Sequence, residues 1–203
     1  MEKRIIKKGM EALIEIDGDV ANAVEIVGFP VPRLRPTGFK TLFAIIVSQQ
    51  ISTDAANAIH KRVIGLLDEL SPESLLGMDP EALRNAGMSY RKIEYARGLA
   101  EAIIDGRLDL KGMSKKANSE IITDITALHG FGQWSAEIYL MFSLRRRDVF
   151  PAGDLALRLS LGTLKGLDVK LTPKQASNLV EHWSPWRSVG SLFLWHLYRG
   201  APA

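Results

Sequence analysis

Helix boundaries are marked so often along this sequence that little room remains for any other regular element. Three prolines directly follow a residue that can cap a helix, in the pairs Ser71-Pro72, Asp79-Pro80 and Thr172-Pro173. Proline suits the first helical position, where its missing N–H costs nothing. Glycines stand where helices should end, at Gly87, Gly106, Gly130, Gly166 and Gly200.

Between these boundaries, apolar residues recur at helical spacing, most clearly over residues 93–103 and 121–128. We find no convincing stretch that alternates as a half-buried strand does. The pattern predicts roughly ten short helices and an all-α protein, with helices also over the first 35 residues. The prolines of residues 29–38 predict an extended connector.

Composition excludes several classes of protein. The 203 residues contain no cysteine, which excludes disulfides, thiolate metal sites and iron–sulfur clusters. The four histidines show no metal-ligand spacing. Neither a membrane-spanning run nor a signal-peptide core is visible, so we expect no membrane partner and a cytoplasmic, nucleoid-associated location of the prokaryotic type. The net charge of +3 is mild, so any contact with nucleic acid must rest on a local patch.

The most informative local feature is residues 128–136, LHGFGQWSA, between an amphipathic helix and an apolar helix over residues 133–144. We expect Gly130 and Gly132 to reverse the chain with positive backbone angles. The amides that begin the second helix would then form a seat for a phosphate. Taken alone, a Gly-x-Gly would more often be an ordinary glycine-capped turn between helices.

A carboxylate follows downstream, at Asp154 in VFPAGDLALR, residues 149–158. Its position ahead of an apolar helix predicts a helix N-cap. A catalytic function is compatible with capping, because a cap stabilises the ionised carboxylate and aims it outward.

These two segments resemble the helix–hairpin–helix DNA glycosylases, with His129 and Ser135 replacing the usual proline and threonine of the hairpin. The resemblance implies that Asp154 is the catalytic carboxylate, which stabilises positive charge on the deoxyribose or orients the attacking water. It implies two helical lobes, residues 38–145 and residues 1–37 with 146–203, and an active-site cleft between them where Asp154 faces Trp134. Hairpin residues that would contact DNA are Gly130, Phe131, Gly132, Gln133 and Ser135. Backbone carbonyls of Thr126, Leu128 and Phe131 would hold Na⁺ or K⁺.

Trp134 separates the subclasses of this superfamily. Glycosylases that also cut the DNA backbone carry a lysine there, whose amine forms a Schiff base with the sugar. A tryptophan is similar to the 3-methyladenine DNA glycosylase II branch, in which an indole attracts cationic alkylated bases. Core packing of Trp134 is the alternative.

The remaining pocket residues also come from the resemblance. Trp195 ends a Pro-Trp-Arg-Ser-containing segment and would face the base, whereas Trp186 would be structural and Arg187 would cap or form an ion pair. Gln49 would probe the flipped base and Gln50 would fill the gap left in the duplex. Ordinary polar residues at a helix end are the alternative for both glutamines. Ile138 and Leu155 would complete the pocket.

The prediction is a monofunctional DNA glycosylase that hydrolyses the N-glycosidic bond of alkylated purines in damaged double-stranded DNA. We expect a monomer that requires no cofactor. Two alternatives remain: another base specificity on the same fold, and a non-catalytic helix–hairpin–helix DNA-binding protein.

Overall fold

The structure, a computed structural model, describes residues 1–198, which form twelve α-helices and two short 3-10 helices without a β-strand. The all-α prediction is therefore confirmed for this part of the chain. Each capped proline begins a helix, because Ser71, Asp79 and Thr172 accept hydrogen bonds from the amides of the first turn. The predicted helix end at Gly200 lies outside the described residues.

The chain divides into two compact units, one of residues 35–139 and one of residues 1–34 together with 140–203. The division falls at residue 35 where the sequence predicted 38, and after residue 139 where it predicted 145. We call them the hairpin unit and the carboxylate unit, after the two segments that they carry.

The hairpin unit is built around α3, which is apolar on most of its surface and packs against α4 and α7. Leu42, Phe43, Ile45 and Ile46 of α3 are fully buried, so this helix forms the centre of the unit's core. Its helices are α3 (Phe39–Ser48), α4 (Thr53–Ile64), α5 (Pro72–Gly77), α6 (Pro80–Asn85), α7 (Tyr90–Ile104), α8 (Asn118–Thr126) and α9 (Gln133–Phe142), the last of which runs past the unit boundary.

The carboxylate unit joins both ends of the chain through its helices α1 (Lys3–Ile16), α2 (Gly18–Val27), α10 (Leu155–Leu164), α11 (Pro173–Leu179) and α12 (Arg187–Tyr198). Helix α12 packs against both α1 and α10. Met10, Leu13, Leu161, Val189 and Phe193 are fully buried and form its core. Among the described residues, no helix is long and apolar enough to cross a membrane.

Helix α9 ends at Phe142, two residues before the predicted end at Leu144. Arg145 adopts a left-handed conformation with φ +58°, and the amide of Arg146 donates to the carbonyl of Leu140. This turn ends the helix early because an arginine in that conformation breaks the repeat of helical hydrogen bonds. Sequence periodicity could not reveal it.

Candidate functional site

The hairpin between α8 and α9 depends on one glycine for its shape. Gly130 has φ +91°, and a Cβ atom there would lie 2.2 Å from ring atoms of Tyr95. Gly132 does not have a positive φ, and a Cβ there would meet no atom within 4 Å. The expectation of two positive backbone angles was therefore wrong for Gly132. Glycine at that position leaves the backbone open to close approach by a ligand.

Side chains from α7 and from the residue that follows α3 support this turn. Gln49, just after α3, donates from Nε2 to the carbonyl of Gly130 at 2.9 Å. Tyr95 of α7 makes an edge-on contact with the ring of His129, with ring centroids 4.9 Å apart. His129 Nδ1 also lies 3.1 Å from a carboxylate oxygen of Glu94. These contacts fix the backbone where His129 replaces the proline of the family pattern.

The start of α9 presents backbone amides rather than charged side chains. Phe131 is buried in the hairpin, and the amide of Ser135 donates to the carbonyl of Gly132 at 3.0 Å. The first amides of a helix have no acceptor within the helix, and Gln133 is the first residue of α9. Trp134 is 37% exposed, so its ring lies at the surface of the unit.

One turn further along α9, the side chains point into the core. Ile138 and Ser135 are buried, as is Glu137. Burial raises the pKa of Glu137, although a hydrogen bond from Gln133 Nε2 at 2.9 Å partly opposes that effect. Ile138 therefore belongs to the packed part of the helix. Its contribution to a base pocket stays a prediction.

A cavity of about 460 Å³ lies within the hairpin unit, beside the turn. Gln49, Gln50, Arg91, Lys92 and Trp134 are among its lining residues. Burial lowers the pKa of Lys92, whose ammonium donates to the backbone at Val47 O. Two cations and two amide side chains give this cavity the polarity of a site that binds an anionic, hydrogen-bonding ligand.

Gln50 carries backbone strain at the edge of that cavity. It is exposed and adopts a left-handed conformation with φ +57°. Such a conformation costs a residue with a side chain on the order of 1–2 kcal/mol, and it clusters at ligand-contacting positions. Gln50 therefore provides an exposed, uncharged amide just after the end of α3.

Asp154 is the N-cap of α10, as its sequence position predicted. Its Oδ1 accepts from the amide of Leu157 at 3.0 Å and from Trp195 Nε1 at 3.3 Å. Asp154 is half-buried, and the adjacent Leu155 is 46% exposed. The ring of Trp195 packs against Phe142, with centroids 5.8 Å apart. Trp195 and Asp154, singled out separately in the sequence, therefore meet in one hydrogen bond.

The loop that leads to Asp154 is fastened to the start of α12. Arg187 donates from Nε and Nη2 to the two carboxylate oxygens of Asp148, each at 2.6 Å. This pairing holds the pKa of Asp148 below its usual range. Ser188 adds a bond from the amide of Val149 at 2.9 Å. Arg187 therefore forms the ion pair that was one of its two predicted uses, and Trp186 is buried as a structural residue.

Two residues, Tyr95 and Asp148, and one contact of Trp195 had no local signal in the sequence. Tyr95 lies under the hairpin, Asp148 anchors the loop, and the indole N–H of Trp195 binds the carboxylate. Each contacts a residue more than 30 positions away along the chain, with Tyr95 against His129, Asp148 against Arg187 and Trp195 against Asp154. Helical periodicity reports only on neighbours within a turn or two, so it could not identify them.

The hairpin carbonyls are the only donors proposed for a cation. Among residues 1–198, no cluster of three or more histidine, aspartate or glutamate side chains could hold a metal ion. The carbonyl of Leu128 accepts from the amide of Phe131 at 3.1 Å, which leaves its second lone pair for another ligand. Thr126 is exposed, as expected for a ligand at the surface of the turn. Such uncharged, hard oxygen donors are compatible with Na⁺ or K⁺.

Comparisons with known proteins agree with this geometry. Residues 43–185 match the profile described as HhH-GPD superfamily base excision DNA repair protein. The chain is 34% identical over 161 residues to DNA-3-methyladenine glycosylase 1 of Schizosaccharomyces pombe, covering 77% of this chain and 71% of that protein.

Solved structures show the same similarity. The 3-methyladenine DNA glycosylase of Schizosaccharomyces pombe, in complex with abasic DNA, has a TM-score of 0.89 and 31% identity over 96% of this chain and 98% of that one. The DNA-3-methyladenine glycosidase of Bacillus halodurans has a TM-score of 0.81 and 35% identity over 95% and 89% of the two chains. Both resemblances cover nearly all of this chain.

Proposed function

Because the chain belongs to the HhH-GPD superfamily of base excision DNA repair proteins, we propose that it is a DNA glycosylase that releases alkylated purines from double-stranded DNA. The observation that carries this proposal is Asp154, a half-buried carboxylate at the start of α10 that accepts from the amide of Leu157 and the indole N–H of Trp195. Relatives with 3-methyladenine glycosylase names support this substrate class, and we propose that it extends to 7-methylguanine.

Asp154 supplies the charge that the reaction requires. As the bond between base and sugar breaks, positive charge develops on the deoxyribose. An anion that is already fixed in place stabilises this charge without reorganising, which is the largest single contribution in many enzymes. The same carboxylate orients the water that attacks the sugar.

Trp134 supports selection of alkylated bases. A base must leave the duplex before it can react, and Gln50, strained and exposed, is suited to fill the gap. The partly exposed indole of Trp134 attracts a cationic base through its electron-rich face. A cationic purine is also a good leaving group, so modest recognition suffices.

The hairpin is suited to hold the phosphate backbone through amides. The start of α9, at Gln133, is suited to attract a phosphate, and Na⁺ or K⁺ on the hairpin carbonyls would add positive charge there. Replacing Gly132 with alanine tests this interface, because the fold has room for the methyl group. We expect Gly132→Ala to weaken DNA binding roughly tenfold, with an unchanged melting temperature. Gly77→Ala, also in open space, is the matched control and should bind normally.

The enzyme should hydrolyse the base–sugar bond without cutting the DNA backbone. The hairpin position that carries the attacking amine of bifunctional glycosylases is Trp134 here. Borohydride should therefore trap no covalent complex with damaged DNA. A trapped complex, or incision at preformed abasic sites, would contradict this part of the proposal.

Base release from methylated DNA is the direct test. The protein would be incubated with methylated duplex DNA, and the free bases would be separated by chromatography. We expect 3-methyladenine and 7-methylguanine, and we expect Asp154→Asn to slow their release by about 10³-fold. Faster release of oxidised or mismatched bases would favour another specificity, and DNA binding without any release would favour a non-catalytic protein. We further propose that it works as a monomer at the nucleoid, where its substrate lies.

A further inference from the structure

Residues 49–52, which connect α3 to α4, form a turn with a strained backbone at Gln50, where φ is +57°. A residue with a side chain keeps that conformation where the surrounding structure holds it in place. The turn must therefore be held on both sides of Gln50. On the C-terminal side, Ser52 is the N-cap of α4, and its hydroxyl accepts from the amide of Ala55 at 3.2 Å.

On the N-terminal side of Gln50, two side chains fasten the end of α3. Lys92 of α7 donates from Nζ to the carbonyl of Val47 at 2.7 Å. That carbonyl lies in the last turn of α3, where the helix supplies no amide for it to accept from. Gln49 donates from Nε2 to the carbonyl of Gly130 at 2.9 Å. The first contact ties the turn to α7, and the second ties it to the hairpin.

The contact from Gln49 also fixes the peptide that joins Gly130 to Phe131. Gly130 has φ +91°, and a glycine allows the adjoining peptide plane to rotate at little steric cost. At one end of this peptide, the amide of Phe131 donates to the carbonyl of Leu128 at 3.1 Å. At the other end, the carbonyl of Gly130 accepts from Gln49. Because both ends are bonded, the hairpin backbone keeps one shape while Gln49 is in place.

We propose that Gln49 is a positioning residue that couples the hairpin to Gln50, so that the segment that holds phosphate and the residue that fills the duplex gap act as one rigid part. Gln49, Gln50 and Gly130 line the same cavity, which brings the three into one site. This inference rests on the proposed function, because it needs the hairpin to hold DNA and Gln50 to fill the gap. A coupling residue contributes whether or not a base is present, whereas a residue that probes the flipped base does not.

Gln49→Met tests the inference, because methionine keeps the length of the side chain and removes the N–H donor. Dissociation constants would be measured for an undamaged duplex and for a duplex with a tetrahydrofuran abasic-site analogue, which has a gap and no base. We expect binding of the abasic duplex to weaken roughly fivefold, in the range of one hydrogen bond, and binding of the undamaged duplex to weaken less. Unchanged affinity for the abasic duplex, or equal losses on the two duplexes, would overturn the inference.

Thr41→Val is the matched control. The hydroxyl of Thr41 donates to the carbonyl of Pro36 at 2.7 Å, so this variant also removes a side-chain donor to the backbone, at the other end of α3. We expect a lower melting temperature and, well below that temperature, unchanged affinity for both duplexes. If Thr41→Val weakened binding of the abasic duplex as much as Gln49→Met does, loss of any hydrogen bond in α3 would explain both results and the inference would be wrong.

A double-mutant cycle with Gln50→Ala tests the coupling itself. If Gln49 holds Gln50 against the hairpin, Gln50→Ala should weaken binding of the abasic duplex less in the Gln49→Met background than in the parent protein. Losses that simply add would mean that the two residues act independently, and the inference would fail while the parent protein still released bases. Coupled losses in a protein that releases no base from methylated DNA would instead refute the proposed function.

Discussion

Two aspartates in the carboxylate unit look alike locally and differ in their surroundings. Asp17 caps α2 and Asp154 caps α10, each through its side-chain oxygen. Each also accepts an indole N–H from the C-terminal segment, Asp17 from Trp183 and Asp154 from Trp195. The side chain of Asp17 is only 2% exposed, whereas Asp154 is half-buried.

The surroundings of Asp17 serve stability. Lys165 binds both of its carboxylate oxygens at 2.8 Å, and His182 lies 3.0 Å from one of them. Burial alone would raise the pKa of Asp17, but the hydrogen bonds from Lys165 and Trp183 outweigh it and lower the pKa. A carboxylate enclosed in this way joins α2, α10 and the segment of Trp183. A carboxylate that remains accessible can act on a ligand instead.

Asp154→Asn should have the largest effect on activity. Asparagine caps a helix as well as aspartate does, so the fold should be unchanged. Loss of the fixed charge should slow base release by about 10³-fold, in the range found for preorganised electrostatic groups. Single-turnover kinetics with a denaturation curve would measure both. A variant with normal base release and a lower free energy of unfolding would contradict this prediction, because Asp154 would then serve stability as Asp17 does.

Asp17→Asn should give the opposite result. Lys165 is 15% exposed and would lose its main counter-charge, which costs about 3 kcal/mol in the free energy of unfolding. Activity per folded molecule should be normal. Urea denaturation measures the loss, and kinetics at low temperature checks the activity. Slower base release by a stably folded variant would contradict this division of functions.

The dependence of stability on pH in acid gives a further test of the difference between Asp17 and Asp154. The folded pKa of Asp17 lies below its ordinary value of 3.8. Its contribution to stability is therefore fully present above the unfolded pKa and is lost as the pH falls through the folded pKa. We expect the free energy of unfolding to fall more steeply below pH 3.8 in the parent protein than in Asp17→Asn. Equal pH profiles of the two proteins would show that protonation of Asp17 does not cause the loss of stability in acid.

The ion pair between Asp148 and Arg187 should give the smallest effect. Arg187→Lys keeps the charge but loses the bidentate pairing, at a cost of about 1 kcal/mol. Base release should slow a few-fold, because the fastened loop leads to Asp154. Arg107→Lys, in an exposed pair with Asp105, is the control and should change neither property. Equal effects of the two substitutions would show that the loop needs no anchor.

Much of the fold could be predicted because its determinants are local. The prolines at 72, 80 and 173 begin helices, since a cap and its amides lie within one turn. The hairpin's place between α8 and α9 and the capping by Asp154 follow for the same reason. The early end of α9 and the conformation of Gly132 could not be predicted, because a left-handed arginine and an open backbone have no periodic signal in the sequence.

Only the tertiary structure decided which aspartate is enclosed and which is accessible. Both precede a helix, and helical periodicity does not show which of the two is enclosed. Their indole donors lie 166 and 41 residues away along the chain, and Lys165 lies 148 residues from Asp17. Local sequence determines where a carboxylate caps a helix. Packing between distant helices determines how much water reaches it, and the chemistry available to that carboxylate depends on this access.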